Sequence, residues 1–263
     1  LGISKYRTKD YQGAITDLTK AIDTGSKDNF THAARGLSFY ALKEFEKSIP
    51  DLNRAIELGQ HDSNIYFSRG AAKYTLKDYK TALPDLDKAI NTGTTDPIAF
   101  DMRGYCRYEN KNYNEAIKDF DEAIAKDPKL ALAFFHRGDT KFSVDNTAGA
   151  VQDYSQAIAL GLSDPILFNN RGKAYFRQQN YPLAIADFRS AIDKKPDYAK
   201  AYENRGMAYF NTKKYEEAAK DFREVEKLSP TPDPDLLRML GNTYYNLDKF
   251  PLARDYYDKV INS

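Results

Sequence analysis

The sequence predicts an all-α solenoid built from one repeated helix–turn–helix unit. Three observations predict it. Gly2, Gly36, Gly70, Gly104, Gly138, Gly172 and Gly206 stand 34 residues apart, and Gly241 follows after 35. Twelve residues after each glycine comes a small residue (Ala14, Ser48, Ala82, Ala116, Ala150, Ala184, Ala218, Ala253). Four further on comes a large apolar one: Leu18, Leu52, Leu86, Phe120, Tyr154, Phe188, Phe222 or Tyr257. A third small or branched residue follows after three more, Ala21 through Ala191 and then Val225 and Val260. Spacings of three, four and seven trace one face of a helix. A fixed period of this length marks a stack of supersecondary units, each too small to bury its own apolar face.

The units follow in order. Residues 1–28 read as a partial repeat that begins halfway through its first helix. Full units are expected over 29–62, 63–96, 97–130, 131–164, 165–198, 199–233 and 234–263, as one array. Gly25, Gly59, Gly93 and Gly161 fall where a second helix must stop, because glycine accepts the left-handed turn there. Asp28, Asp62, Asp96 and Asp164 come three residues later and suit the cap of the next helix. Pro97, Pro165 and Pro234 each follow an Asp and fit a first helical turn, where no amide donor is needed. Elsewhere Pro128, Pro196 and Pro230 are read as helix stops. The extra residue before Gly241 lies in the stretch Pro230-Thr231-Pro232-Asp233-Pro234.

With aromatics four residues before most glycines (Tyr66, Phe100, Phe134, Phe168, Tyr202), the whole pattern resembles the tetratricopeptide repeat. That resemblance covers essentially the whole chain. It implies a right-handed superhelix whose first helices line a groove for an extended or helical peptide, and a role as a protein–protein interaction scaffold. An accessory region of a larger enzyme is a second reading, and an RNA-binding helical array a third. RNA-reading arrays need a basic lining, and here Asp101, Glu109, Asp139 and Glu203 interrupt the groove positions. The partner is therefore expected to be protein or peptide, not nucleic acid.

One departure from the family pattern has its own chemistry. Arg35, Arg69, Arg103, Arg137, Arg171 and Arg205 stand before the glycine where the family has Leu. An arginine in a helix–helix seam needs a partner. The second helices offer Asp51, Asp85, Asp119, Asp153, Asp187 and Asp221 at a fixed offset, and each Arg is expected to pair with an Asp of its own or the preceding repeat. The last unit has Leu240 and Tyr256 in the two slots and loses both charges.

The groove positions lie six, three and two before the glycine and one, four and five after it. In the early units they carry Phe30, Leu37, Phe67, Met102 and Tyr105, an apolar and aromatic surface. In the later units they carry Asn169, Asn170, Lys173, Arg177, Lys200, Asn204, Asn211, Arg238 and Asn242. Amides can clamp a peptide backbone, and cations favour an acidic partner toward this end. The aromatics four after each glycine, from Tyr40 to Tyr245, are expected to pack between repeats. The last helix presents Tyr256, Tyr257, Val260 and Ile261, and a contact covering that face is expected.

Other chemistry is not signalled. A single Cys, Cys106, gives no disulfide and no thiolate zinc set. His32, His61 and His136 fall in no metal-ligand spacing. Neither a cofactor, a metal nor catalysis is expected. No apolar run is long enough to span a bilayer. The chain starts at Leu1, so it is read as cut at its start, and no compartment is assigned.

Overall fold

The computed structural model describes residues 1–229, Thr231 and 233–262. The helix stop assigned to Pro230 lies outside the described residues. Among these there are sixteen helices and no strand. They are α1 (Gly2–Arg7), α2 (Tyr11–Asp23), α3 (Asn29–Ala41), α4 (Phe45–Glu57), α5 (Ser63–Thr75), α6 (Tyr79–Asn91), α7 (Pro97–Glu109) and α8 (Tyr113–Lys126). Then follow α9 (Ala131–Ser143), α10 (Thr147–Ala159), α11 (Pro165–Arg177), α12 (Tyr181–Lys194), α13 (Ala199–Asn211), α14 (Tyr215–Leu228), α15 (Pro234–Asn246) and α16 (Phe250–Ile261). Odd-numbered helices are the first of each hairpin and even-numbered ones the second.

The chain forms two compact units, Leu1–Thr140 and Lys141–Ser263. In the first, α3, α5 and α7 each pack on their own second helix and on the preceding one, and successive first helices touch. In the second, α11, α13 and α15 each pack on their own second helix and on the preceding one, and α11 touches α13. The core of each hairpin alternates alanine with one large side chain. Ala82, Leu86 and Cys106 pack together in the first unit, and Ala184, Phe188 and Ala208 in the second.

The glycine period has a steric cause. A Cβ on Gly172 would lie 2.7 Å from the Phe188 ring, and one on Gly36 would lie 2.9 Å from Leu52. The two helices approach so closely that only hydrogen fits between them.

The helix ends use the expected chemistry. The carboxylates of Asp28 and Asp62 accept from the amides of Thr31 and Ile65 at 3.0 Å, and Asp164 accepts from Ile166 at 2.7 Å. Gly25, Gly59, Gly93 and Gly161 have φ of 93–108° just past the second helices. The tight turn inside each hairpin also has a left-handed residue, Lys9, Lys43, Lys77, Lys111, Asp145, Gln179, Lys213 or Asp248, with φ of 57–64°.

Pro50 and Pro84 sit inside α4 and α6, beyond the first turn and exposed. Each removes a ladder donor, leaving the carbonyls of Glu46 and Lys80 without their usual intrahelical partners. Pro50→Ala and Pro84→Ala are each expected to raise unfolding free energy by about 1 kcal/mol, the restored helical bond outweighing the added freedom of the unfolded chain. The measurement is the urea midpoint at constant slope.

The last hairpin differs from expectation. Tyr256 is not on an open face: it is buried, stacked on Tyr244 with centroids 5.6 Å apart, and its hydroxyl donates to Glu226 at 3.0 Å. Tyr257 turns inward too, donating to Asn242 at 2.9 Å. The exposed apolar groups on α16 are Phe250, Leu252 and Ile261.

Candidate functional site

The arginines before the glycines turn inward and act as staples between second helices. Arg35 Nε and Nη2 donate to the two carboxylate oxygens of Asp51 at 2.7 and 2.8 Å. The same fork joins Arg171 to Asp187, at 2.7 Å twice, and Arg205 to Asp221, at 2.8 and 2.7 Å. Arg69 makes it with Asp85, and Arg103 with Asp119 at 2.6 Å. Arg137 reaches Asp121 of the preceding hairpin at 2.6 Å, and Asp153 accepts from Lys141 at 2.8 Å.

The third nitrogen is the part that sequence reasoning missed. Nη1 of Arg35, Arg69, Arg103 and Arg171 reaches back to Thr19, Asn53, Asp87 and Ser155 of the preceding second helix, at 2.7–3.1 Å. These residues, like Asp121 for Arg137, lie sixteen before the arginine. Each such arginine thus ties its own second helix to the one before. The position is always a short polar acceptor until Arg189, sixteen before Arg205, breaks the series.

The expected groove residues divide into those that are reachable and those that are not. Phe30 is exposed, at 57%. Leu37 is instead buried, packed against Leu52 and against Ile65 of the next first helix. Phe67 and Met102 are half-buried against Cys106 and Leu86. Tyr105 sits in a ring cluster with Tyr74, Tyr79 and Tyr108, 5.4–5.8 Å between centroids. Burial pushes the thiol of Cys106 up to about 12, so the group is a small apolar core residue.

His136 joins the same core, its Nδ1 2.9 Å from Asp101 Oδ1. Burial works against charge on this ring, but the field and hydrogen bond of Asp101, with Asp139 adding to them, outweigh it and raise its pKa. The folded chain therefore holds this proton more tightly than the unfolded one. The stabilisation is complete below about pH 6.5 and is lost as pH rises through the raised value. The denaturant midpoint should fall as pH rises from about 6.5 through the raised value, and less so in His136→Gln.

In the second unit, Asn169 is buried, not open to a ligand, and its side-chain oxygen accepts from Asn204 Nδ2 at 2.9 Å. Asn170 is half-buried beside it. Asn242 is taken by Tyr257, and Asn211 donates to its own helix at Met207 O, 2.8 Å away. Lys200 pairs with Glu203 and Arg238 with Asp235, both at 2.8 Å, so neither cation stands alone. Lys173, half-buried, and Arg177, paired with Asp145 at 2.7 Å, line a pocket with Asn204.

Two cavities mark this face. One of about 300 Å³ lies between α11 and α13, and one of about 580 Å³ lies between α13 and α15. Met207 borders both. The larger one opens where the repeat gains its extra residue, so α15 starts late and stands off from α13. Its walls hold Met207, Leu236 and Met239 with the Lys200–Glu203 and Arg238–Asp235 pairs.

The aromatics four after the glycines, Phe142 excepted, close their own hairpin turn. Their partners are rings five residues on: Tyr6–Tyr11, Tyr40–Phe45, Tyr74–Tyr79, Tyr108–Tyr113, Phe176–Tyr181, Phe210–Tyr215 and Tyr245–Phe250, with centroids 5.3–6.2 Å apart. Packing between repeats, the expected role, is made by Tyr74 through Tyr105. The recurring ring nine after the glycine was the sequence signal for this turn contact.

Sequence models of the tetratricopeptide repeat match residues 97–130 and, in three overlapping stretches, 135–262. The chain belongs to the tetratricopeptide repeat family. Solved structures agree on the fold. The C-terminal part of a TPR repeat-containing protein from Cytophaga hutchinsonii is similar over 86% of this chain and 93% of its own, with a TM-score of 0.68 and 18% identity. PilW, a type IV pilus biogenesis factor, is similar over 75% of this chain and 91% of its own, with a TM-score of 0.65 and 17% identity. YrrB, a TPR protein with an unusual peptide-binding site, is similar over 70% of this chain and 95% of its own, with a TM-score of 0.59 and 21% identity. No curated protein sequence matches the chain. Among the described residues, no TPR helix is long and apolar enough to cross a membrane, and no His, Cys, Asp and Glu cluster could hold a metal.

Proposed function

We propose that this TPR array is a protein–protein interaction scaffold whose first-helix face holds a segment of a partner, with the second unit favouring an acidic one. The observation that carries the reading is the pair of adjoining cavities on α11, α13 and α15, both apolar at the base, the smaller rimmed by Lys173, Arg177 and Asn204 and the larger by the Lys200–Glu203 and Arg238–Asp235 pairs with Asp233. Such a surface offers apolar anchors beside groups that bind a peptide backbone or carboxylate, as peptide grooves do. YrrB is described as having a peptide-binding site, which fits the same use of this fold. On this reading the chain performs no chemistry on its partner. It brings components together.

A photo-reactive amino acid at Met207 or Lys200 tests the face. Another at Lys220, exposed on the second helix α14, is the control. Specific crosslinks from the first two positions and none from the third are expected. Equal capture from Lys220, or capture from Lys220 alone, would place the partner elsewhere.

A further inference from the structure

The chain breaks its own repeat at the start of α10, in the second unit, and a cavity lies beside the break. Seven hairpins carry Tyr or Phe nine residues after the glycine, and the eighth carries Thr147. Its counterpart, Phe142, therefore lacks the ring that closes every other turn. Arg177 takes that place, its guanidinium carbon 4.0 Å from the Phe142 centroid, with the Lys173 ammonium at 5.1 Å. The cavity of about 300 Å³ lies against this ring, with Phe176, Phe188 and Met207 as its apolar base and Asn204 in its wall.

Its size and charge limit what it can take. Ligand pockets run from about 300 to 1,000 Å³, so this one suits a single large side chain and not a whole cofactor. Two cations line it and no acidic residue does. Arg177 pairs with Asp145 at 2.7 Å, but that carboxylate is 87% exposed. An exposed pair of this kind contributes little, so it yields to a ligand carboxylate that meets the guanidinium from the pocket while the cation keeps its place on the ring. Asn204 spends one amide proton on Asn169. A carboxamide has a second N–H and an oxygen for a passing backbone.

We propose that this cavity is an anchor pocket for a peptide in which a large apolar residue stands next to a carboxylate. The apolar side chain enters between Phe142, Phe176 and Met207, and the carboxylate meets Arg177 and Lys173. The inference rests on the groove reading above and adds the chemistry of its first anchor.

The test is selection of a displayed library of random ten-residue peptides on the whole chain, followed by fluorescence anisotropy on the best-enriched peptide. Enriched sequences are expected to share Leu, Met or Phe beside Asp, Glu or a free C-terminus. Free and amidated forms of the synthesised peptide separate the two sources of carboxylate. Lys173→Ala with Arg177→Ala should weaken binding at least tenfold. Converting the peptide's carboxylate to an amide should cost a similar factor, and the two losses should not add. Thr147→Tyr, which restores the usual ring pair, should also weaken binding without lowering the melting temperature. Enriched peptides with no apolar–acidic pair, or binding untouched by the double variant, overturn this pocket and leave the groove reading standing. If no peptide is enriched and Met207 and Lys200 give no crosslinks, both fall.

Discussion

Asp119→Ala is expected to cost about 3–5 kcal/mol of unfolding free energy, far more than an ordinary surface change. The Asp119 side chain is 3% exposed and takes both the Arg103 fork and Arg107, the latter at 2.9 Å. Removing it leaves two guanidinium groups in a seam with only Asp87, which is 39% exposed and reached at 3.0 and 3.3 Å. The cost is that of stranding charge, not the net worth of the pair. Replacing the whole cluster should behave differently. Arg103→Leu and Arg107→Tyr with Asp119→Tyr copies the last hairpin, where Leu240 is fully buried, Tyr244 stands in the Arg107 slot and Tyr256 stacks on it. That triple variant is expected to lie within about 1 kcal/mol of the parent, because burying a matched ion cluster gains little over packed apolar groups. Equilibrium denaturation of Asp119→Ala and the triple variant measures the difference. If Asp119→Ala costs no more than an exposed variant such as Glu122→Ala, the staple does not hold the seam.

Much of this architecture was legible because a helical hairpin must satisfy the same contacts in every copy. Gly36, Leu52 and Ala55 recur in kind since each fills one slot of one seam, and the seam is identical thirty-four residues on. The arginine fork was legible for the same reason. Its third bond was not, because Thr19, Asn53, Asp87 and Ser155 all accept a hydrogen bond yet share no single letter. Nor do Lys77, Lys111 or Gln179 advertise a left-handed backbone, since that conformation is imposed by the tight turn and not by their side chains. Site residues were read less well than the fold. Leu37 and Asn169 occupy positions that face a groove in a general repeat, but here the helices on either side close over them. The two cavities lie between helices of different repeats. The smaller abuts Phe142, whose usual ring partner is replaced by Thr147, and the larger lies beside the added residue before Pro234, breaks of the period that a search for the period passes over.

Phe188→Ala is expected to cost about 3–5 kcal/mol, from lost burial and the void it leaves. Phe188 is fully buried, and its ring lies over the place where Gly172 has no side chain. The reverse change should also destabilise. Gly172→Ala would set a methyl 2.7 Å from that ring, so the ring must shift, and its packed neighbours Ala184 and Ala208 resist the shift. Overpacking of this sort costs about 1–3 kcal/mol, more than the roughly 1 kcal/mol an alanine gains over glycine inside a helix. Gly70→Ala is the comparison, for its methyl would sit 3.1 Å from Leu86, a flexible chain that can turn aside. The expected order of loss is therefore Phe188→Ala, then Gly172→Ala, then Gly70→Ala near zero. Phe188→Leu should restore part of the loss in Gly172→Ala, because it recreates the Gly70–Leu86 geometry with one methyl to spare. Thermal and urea unfolding of the five variants measures this. Additive losses in the Gly172→Ala, Phe188→Leu pair would mean that the glycine period answers to backbone conformation and not to the ring beneath it.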